Sequence, residues 1–130
     1  MDAFSRGNST EAAVLGILLA RGIPTALPLG VKRYDLIVEL DGKLLKAQVK
    51  TGRISQGSLA FPVCTVHPVT GLRRPYTADQ VDIFLVYNRI TGKVYKVPFT
   101  LVGTTECRLR IDPTKNHRTK DVHQAKEFEL

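Results

Sequence analysis

"RYDLIVELDGKLLKAQVK", residues 33–50, reads as two short strands around a tight turn. Asp41-Gly42 is a favoured pair for a two-residue hairpin turn, because glycine takes a positive φ without penalty. The strands then run over roughly residues 33–40 and 43–50. With Leu40 paired to Lys43, the register predicts Val38 opposite Leu45, Leu36 opposite Ala47 and Tyr34 opposite Val49. Those pairs make one apolar face suited to packing on a helix. The other face pairs Glu39 with Leu44, Ile37 with Lys46 and Asp35 with Gln48, and Lys50 points the same way. An acid, an amide and an amine therefore gather at the open end of a hairpin otherwise built largely of Leu, Ile, Val and Ala.

Two readings of that cluster are open from spacing alone. Asp35 and Lys50 can form a surface ion pair of little energetic consequence, with Gln48 an exposed amide. Alternatively, a carboxylate and an amide carbonyl are oxygen ligands suited to Mg²⁺, which takes few protein ligands and keeps several waters. A metal so held can bridge a phosphate oxygen and an attacking water. A neighbouring lysine can position that water or neutralise developing charge.

The rest of the chain surrounds the hairpin with one helix and several strands. A helix is expected from about Ser9 to Arg21, after a loose lead-in over residues 1–7, with Asn8 or Ser9 as N-cap and Gly22 ending it. Its apolar stripe includes Val14, Leu15, Leu18 and Leu19, and Glu11 lies on that face. Glu11 also stands three residues after Asn8, where it could close a capping box. "GIPTALPLG" suggests a short extended edge segment. "TGRISQG" reads as a loop, "SLAFPVCTV" as a strand and "HPVTGLRRPYTADQ" as a long basic loop. "VDIFLVYNR" has the β-formers of a central strand, and "TGK" turns it back into Val94–Pro98 as a second hairpin. "ECRLRID" alternates like a half-exposed strand. The order predicts one α+β (or α/β) domain over residues 1–130.

The chain has 130 residues, 43% of them hydrophobic and 24% charged, enough for a single core. It holds no apolar run of about 18 residues, and "AAVLGILLA" lacks the basic head of a signal peptide, so a cytoplasmic protein is expected. Cys64 and Cys107 have no zinc-like spacing and read as buried free thiols. His67, His117 and His123 likewise lack metal-ligand spacing. Nineteen basic against twelve acidic residues give a formal net charge of +7, which favours a polyanion such as nucleic acid.

Asp35, the hairpin and Gln48-Val49-Lys50 resemble the D…(D/E)-x-K core of the PD-(D/E)XK nuclease superfamily, with Gln48 where an acid is usual. Glu11, on the helix before the hairpin, matches the helix acid often seen there. The layout is most similar to the small homing endonucleases encoded in bacterial group I introns. "STEAAVLGILLARG", "RYDLIVELDGKLLKAQVKTGR" and "YTADQVDIFLVYNRITGKVYKVP" carry that likeness over roughly residues 8–111, and glutamine at the second core position also occurs in that group. The proline of the family motif is not matched, since Arg33-Tyr34 precedes Asp35. The resemblance implies a restriction-endonuclease-like core, a mixed β-sheet with the N-terminal helix on one face. It implies catalysis by Glu11, Asp35, Gln48 and Lys50, with Asp35, Gln48 and Glu11 holding Mg²⁺. A neutral Gln48 would leave that metal site one negative charge short.

The substrate so implied is double-stranded DNA. Arg53 leaves the site directly, Arg73, Arg74 and Tyr76 sit in a basic loop, and Lys115, Asn116, Arg118 and Lys120 form a second basic patch. All eight are expected at DNA. Cutting both strands of a long target implies a homo-oligomer, dimer or tetramer, with the segments near Val97–Val102 and "EFEL" as possible interface material. A junction-resolving nuclease on the same fold, or an inactive DNA-binding module, are the other functions compatible with these residues.

Overall fold

The computed structural model describes residues 3–114 and 122–130. Helix α1 (Ala3–Ala20) starts before the expected cap and takes in Asn8 and Ser9. Asn-Ser-Thr runs read as caps because such side chains compete with the helical backbone. Here Thr10 is buried, and its hydroxyl meets that of Thr51 at 2.6 Å, so packing keeps this turn helical. Glu11 is consequently a mid-helix residue and closes no capping box. The C-terminus ends as expected. Gly22 takes φ +71°. Its N–H donates to Leu19 O (3.0 Å) and that of Ile23 to Leu18 O (2.9 Å), a Schellman closure.

The proline-rich stretch supplies the two-residue edge strand β1 (Thr25–Ala26), paired to β2 (Leu36–Leu40). Asp41 and Gly42 both take positive φ, 52° and 76°, and join β2 to β3 (Lys43–Ser55). The register is the expected one from Leu40 opposite Lys43 to Leu36 opposite Ala47, but the ladder ends there, so the expected pairs of Asp35 with Gln48 and Tyr34 with Val49 do not form. Leu36, Val38, Ala47 and Val49 form one buried cluster with Val14 and Leu18 of α1.

The reading of "TGRISQG" as a loop is overturned, because β3 continues through it to Ser55. The turn comes instead at Gln56-Gly57, with φ +52° and +77°, and leads into β4 (Ser58–Pro62). Gly52 looked like loop punctuation but serves a close approach, since a Cβ there would lie 2.5 Å from Leu59 Cδ1. The "SLAFPVCTV" strand is broken after Pro62, which has no N–H to continue a ladder. Val63 donates to Thr105 O (2.9 Å), and β5 (Cys64–Val66) starts anew. The basic loop holds a strand of its own, β6 (Arg73–Pro75), which pairs with β5 as a separate two-stranded ribbon.

β7 (Ile83–Asn88) lies parallel to β3 and antiparallel to β8 (Val94–Pro98). Its alternate residues serve two cores, Ile83 and Leu85 toward α1 and Phe84 and Val86 in the other. β9 (Glu106–Arg110) pairs with β4 and shows the expected alternation. Val97, Phe99, Val102 and Phe128 pack together in the second core. The chain's end also follows β8, through Lys96 N–H to Phe128 O (2.7 Å) and Leu130 N–H to Val94 O (2.9 Å). The apolar side chains expected as interface material thus contribute largely to the chain's own interior. Cys64 and Cys107 are buried free thiols, and burial pushes the Cys107 thiol up to about 11.

Gly52→Ala is expected to destabilise the protein by about 1–3 kcal/mol, because Leu59 is fully buried and cannot yield freely. Urea denaturation of the two proteins would check this.

Candidate active site

β3 changes partners along its length. Ala47 is its last residue paired with β2 and Arg53 its first paired with β4, while β7 pairs with 47–52 on the other side. Among the described strands, residues 48–52 therefore have only β7 beside them. A backbone donor left without a strand neighbour needs another acceptor. Asp35 supplies it. Its own N–H donates to Ala47 O (2.9 Å), and its carboxylate accepts the Val49 N–H at 2.9 Å.

This gap opens a cleft of about 340 Å³ lined by Gly7, Asn8, Thr10 and Glu11 of α1, by Asp35, and by residues 48–51. The expected group of Glu11, Asp35, Gln48 and Lys50 thus converges on one cavity. Alternation explains how. Val49 is turned to the helix and buried, while Gln48 and Lys50 beside it are half-buried. The gap brings side chains from helix and sheet into the same space.

The electrostatics are those of a site short of positive charge. Burial raises the Asp35 carboxyl above the usual carboxylate range, against the lowering effect of the Val49 N–H and the Lys50 ammonium. Glu11 is also raised, first by burial and then by the negative charge of Asp35. Two carboxylates in one cleft, the charge of Asp35 working against that of Glu11, with an amide side chain on the same lining, are a donor set suited to a hard divalent cation. Among the described residues there is no cluster of three or more His, Cys, Asp or Glu. The set therefore depends on Gln48 for its third side-chain oxygen.

Lys50 reaches across the sheet. Its Nζ donates to Tyr76 Oη at 2.9 Å and lies 4.8 Å from the Tyr76 ring centroid. Tyr76, expected on an exposed DNA-contacting loop, is only 5% exposed and packs edge-on against Phe84 at 5.6 Å between ring centroids. Arg73 and Arg74 are exposed on β6, as expected of a basic surface. Arg53 is exposed but held to Glu106 Oε2 at 2.6 Å, and Arg108 bonds the other oxygen at 3.0 Å. Lys115, Asn116, His117, Arg118 and Lys120 lie outside the described residues.

Two residues near the site escaped the sequence reading. Asp82 caps β3 on its other edge, accepting the Lys46 N–H at 2.8 Å. Arg33 bonds Thr65 Oγ1 (2.9 Å), Arg74 O (3.1 Å), Pro75 O (2.9 Å) and Gln80 Oε1 (3.2 Å). Its position two residues before Asp35 was the only available signal, and its partners lie more than thirty residues away in sequence.

A family model for PD-(D/E)XK endonucleases matches the chain over residues 1–130. Among solved structures, the chain is similar to the bacterial homing endonuclease I-Ssp6803I, at a TM-score of 0.76 and 21% identity. The match covers 99% of this chain and 89% of that one. It shows a restriction-endonuclease-like fold, with one N-terminal helix packed on a largely antiparallel sheet. No curated protein matches the chain significantly. No described helix is long and apolar enough to cross a membrane.

The two raised carboxyls set a sign for pH dependence. Above their unfolded pKa values the native chain binds more protons at these sites than the unfolded one, so stability is lost as pH rises through the folded values. In EDTA at neutral pH, Asp35→Asn is expected to melt on the order of a few degrees above the native protein, since asparagine keeps an oxygen for the Val49 N–H. That advantage should shrink as the pH falls into the carboxylate range, and added Mg²⁺ should favour the native protein instead. Thermal melts of both proteins across pH, with and without Mg²⁺, would check this.

Proposed function

The chain belongs to the PD-(D/E)XK endonuclease family, and we propose that it is a Mg²⁺-dependent, site-specific double-strand DNA endonuclease of intron-homing type that acts in the cytoplasm. The observation that carries the reading is the convergence of Glu11, Asp35, Gln48 and Lys50 on one cleft. The similarity to a bacterial homing endonuclease supports the fold on which such a site is built.

Asp35, Gln48 and Glu11 would hold the metal, which when bound supplies Lewis-acid activation of water and charge stabilisation at phosphate. Asp35 lines the cleft and accepts the Val49 N–H with one carboxylate oxygen, so that backbone donor is paired while the carboxylate keeps its second oxygen as a possible ligand. Lys50 lines the same cleft, and its charge reaches Asp35, lowering that carboxyl, so from there its ammonium can orient the attacking water or neutralise the charge that builds on the phosphoryl oxygens. Gln48 adds an oxygen without a charge. Metal affinity therefore leans on the two carboxylates, and raising the metal concentration should matter more here than in a site with three acids.

Arg73 and Arg74 on the exposed ribbon, with Arg53 beside the site, supply the contacts to DNA. Lys115, Asn116, Arg118 and Lys120, a second basic run in the sequence, belong to the same proposed DNA contact. Tyr76 is better suited by its burial to serve Lys50 than to touch a duplex. Because the described residues form one such cleft, cutting both strands calls for at least two copies, and a homo-oligomer is part of the proposal.

Digestion of a genomic fragment library in Mg²⁺ tests the reading. Cuts at a unique linear site support it. Cuts confined to branched DNA would indicate a junction-resolving nuclease, and binding without cleavage an inactive DNA-binding module. Asp35→Ala and Lys50→Ala are each expected to lower the cleavage rate by about 100-fold or more while leaving duplex binding largely intact. Arg73→Ala or Arg74→Ala should weaken binding. Loss of a phosphate contact would flatten the log–log salt dependence by about one unit per arginine, whereas loss of a base contact would relax specificity at one position.

A further inference from the structure

Arg33, Tyr76 and Lys50 form a continuous train from the β5–β6 ribbon to the cleft. The Arg33 guanidinium bonds acceptors on β5, on β6, and on Gln80 beyond them. It also lies 4.1 Å from the centroid of the Tyr76 ring. Tyr76 follows β6 directly and is buried against Phe84, so its ring has little freedom. Its hydroxyl is the acceptor for Lys50 Nζ at 2.9 Å. A lysine side chain carries four rotatable bonds and gives up much of its rotamer freedom when fixed. A preset acceptor removes that cost before substrate arrives.

We propose that Tyr76 is the positioning residue for Lys50, and that Arg33 locks Tyr76 to the root of the β5–β6 ribbon, so that the seating of the ribbon sets where the Lys50 ammonium stands. The inference rests on the endonuclease reading for its catalytic consequence but not for its geometry. Tyr76 touches neither the reacting phosphate nor the duplex. It acts through Lys50, with its hydroxyl alone. The basic ribbon that presents Arg73 and Arg74 is thereby mechanically continuous with the active-site lysine, through a ring and a planar cation that have few ways to relax.

Tyr76→Phe removes one oxygen and keeps the ring, so its fold should survive, with a melting temperature within a few degrees of the native one. Two readouts are needed. The first is acetylation of lysines by a limiting amine-reactive ester, followed by mass spectrometry. Lys50 labelling is expected to rise several-fold in Tyr76→Phe, while exposed lysines such as Lys43 label as before. Arg33→Lys, which cannot serve four acceptors and a ring together, should raise Lys50 labelling in the same direction. The second is cleavage, where Tyr76→Phe should lower kcat about tenfold or more with KM and duplex affinity within about twofold. Unchanged Lys50 labelling in Tyr76→Phe overturns the proposal, as does a loss confined to duplex affinity, which would place Tyr76 at the DNA. If Tyr76→Phe did not fold, the labelling of Arg33→Lys would decide in the same way. A native protein that cuts no DNA would defeat the endonuclease reading, while the labelling would still settle whether Tyr76 holds Lys50.

Discussion

The bond from Val49 N–H to the Asp35 carboxylate is the interaction around which the cleft is organised. β3 is the longest strand of the sheet and the one on which β2, β4 and β7 all pair. A strand that trades one neighbour for another must leave some backbone groups between them, and such groups need partners. Asp35 meets that need with a side chain rather than a main chain. A carboxylate is thereby drawn into the sheet, where burial works against its charge. Structural necessity and chemical readiness come from the same contact.

Placing two carboxylates in one partly buried cleft carries a penalty that a purely structural design would avoid. An apolar pair in their place would be easier to bury. The raised carboxyls of Asp35 and Glu11 are the signature of that compromise, and a cation is the natural remedy for it. Lys50 provides part of the compensation. It is also committed elsewhere, to the hydroxyl of a buried tyrosine, so it cannot collapse onto Asp35 as a simple surface ion pair would. The surface-ion-pair reading of these residues therefore does not describe how they stand in the fold.

The basic surface is organised less uniformly than its charge suggests. Arg53 and Arg108 share the Glu106 carboxylate, and Arg110 bonds the carbonyls of Gln56, Asp112 and Pro113. These arginines fasten sheet edges and turns. Arg33 does the same for the ribbon. Arg73 and Arg74 have exposed side chains, as Arg53 does, but stand on a two-strand ribbon whose strands are three residues each. A net charge describes the reservoir from which both kinds of arginine are drawn, and only geometry separates them.

The hairpin register, the central strand, the helix stop at Gly22 and the grouping of Asp35, Gln48 and Lys50 were all determined by the sequence itself. Each depends on contacts between near neighbours, where a two-residue turn or a period of two leaves little choice. What only the tertiary structure decided involves residues far apart in the chain. The helix extends through Asn8 and Ser9 because Thr10 meets Thr51. β3 runs on through Gly52 because Leu59 packs onto it. Tyr76 leaves an apparent loop for the core because Phe84 and Lys50 are there to receive it. Local propensity is a matter of tenths of a kcal/mol to about one per residue. Burial of a leucine or an aromatic ring outweighs it, and the partner that decides the outcome cannot be seen from the local stretch.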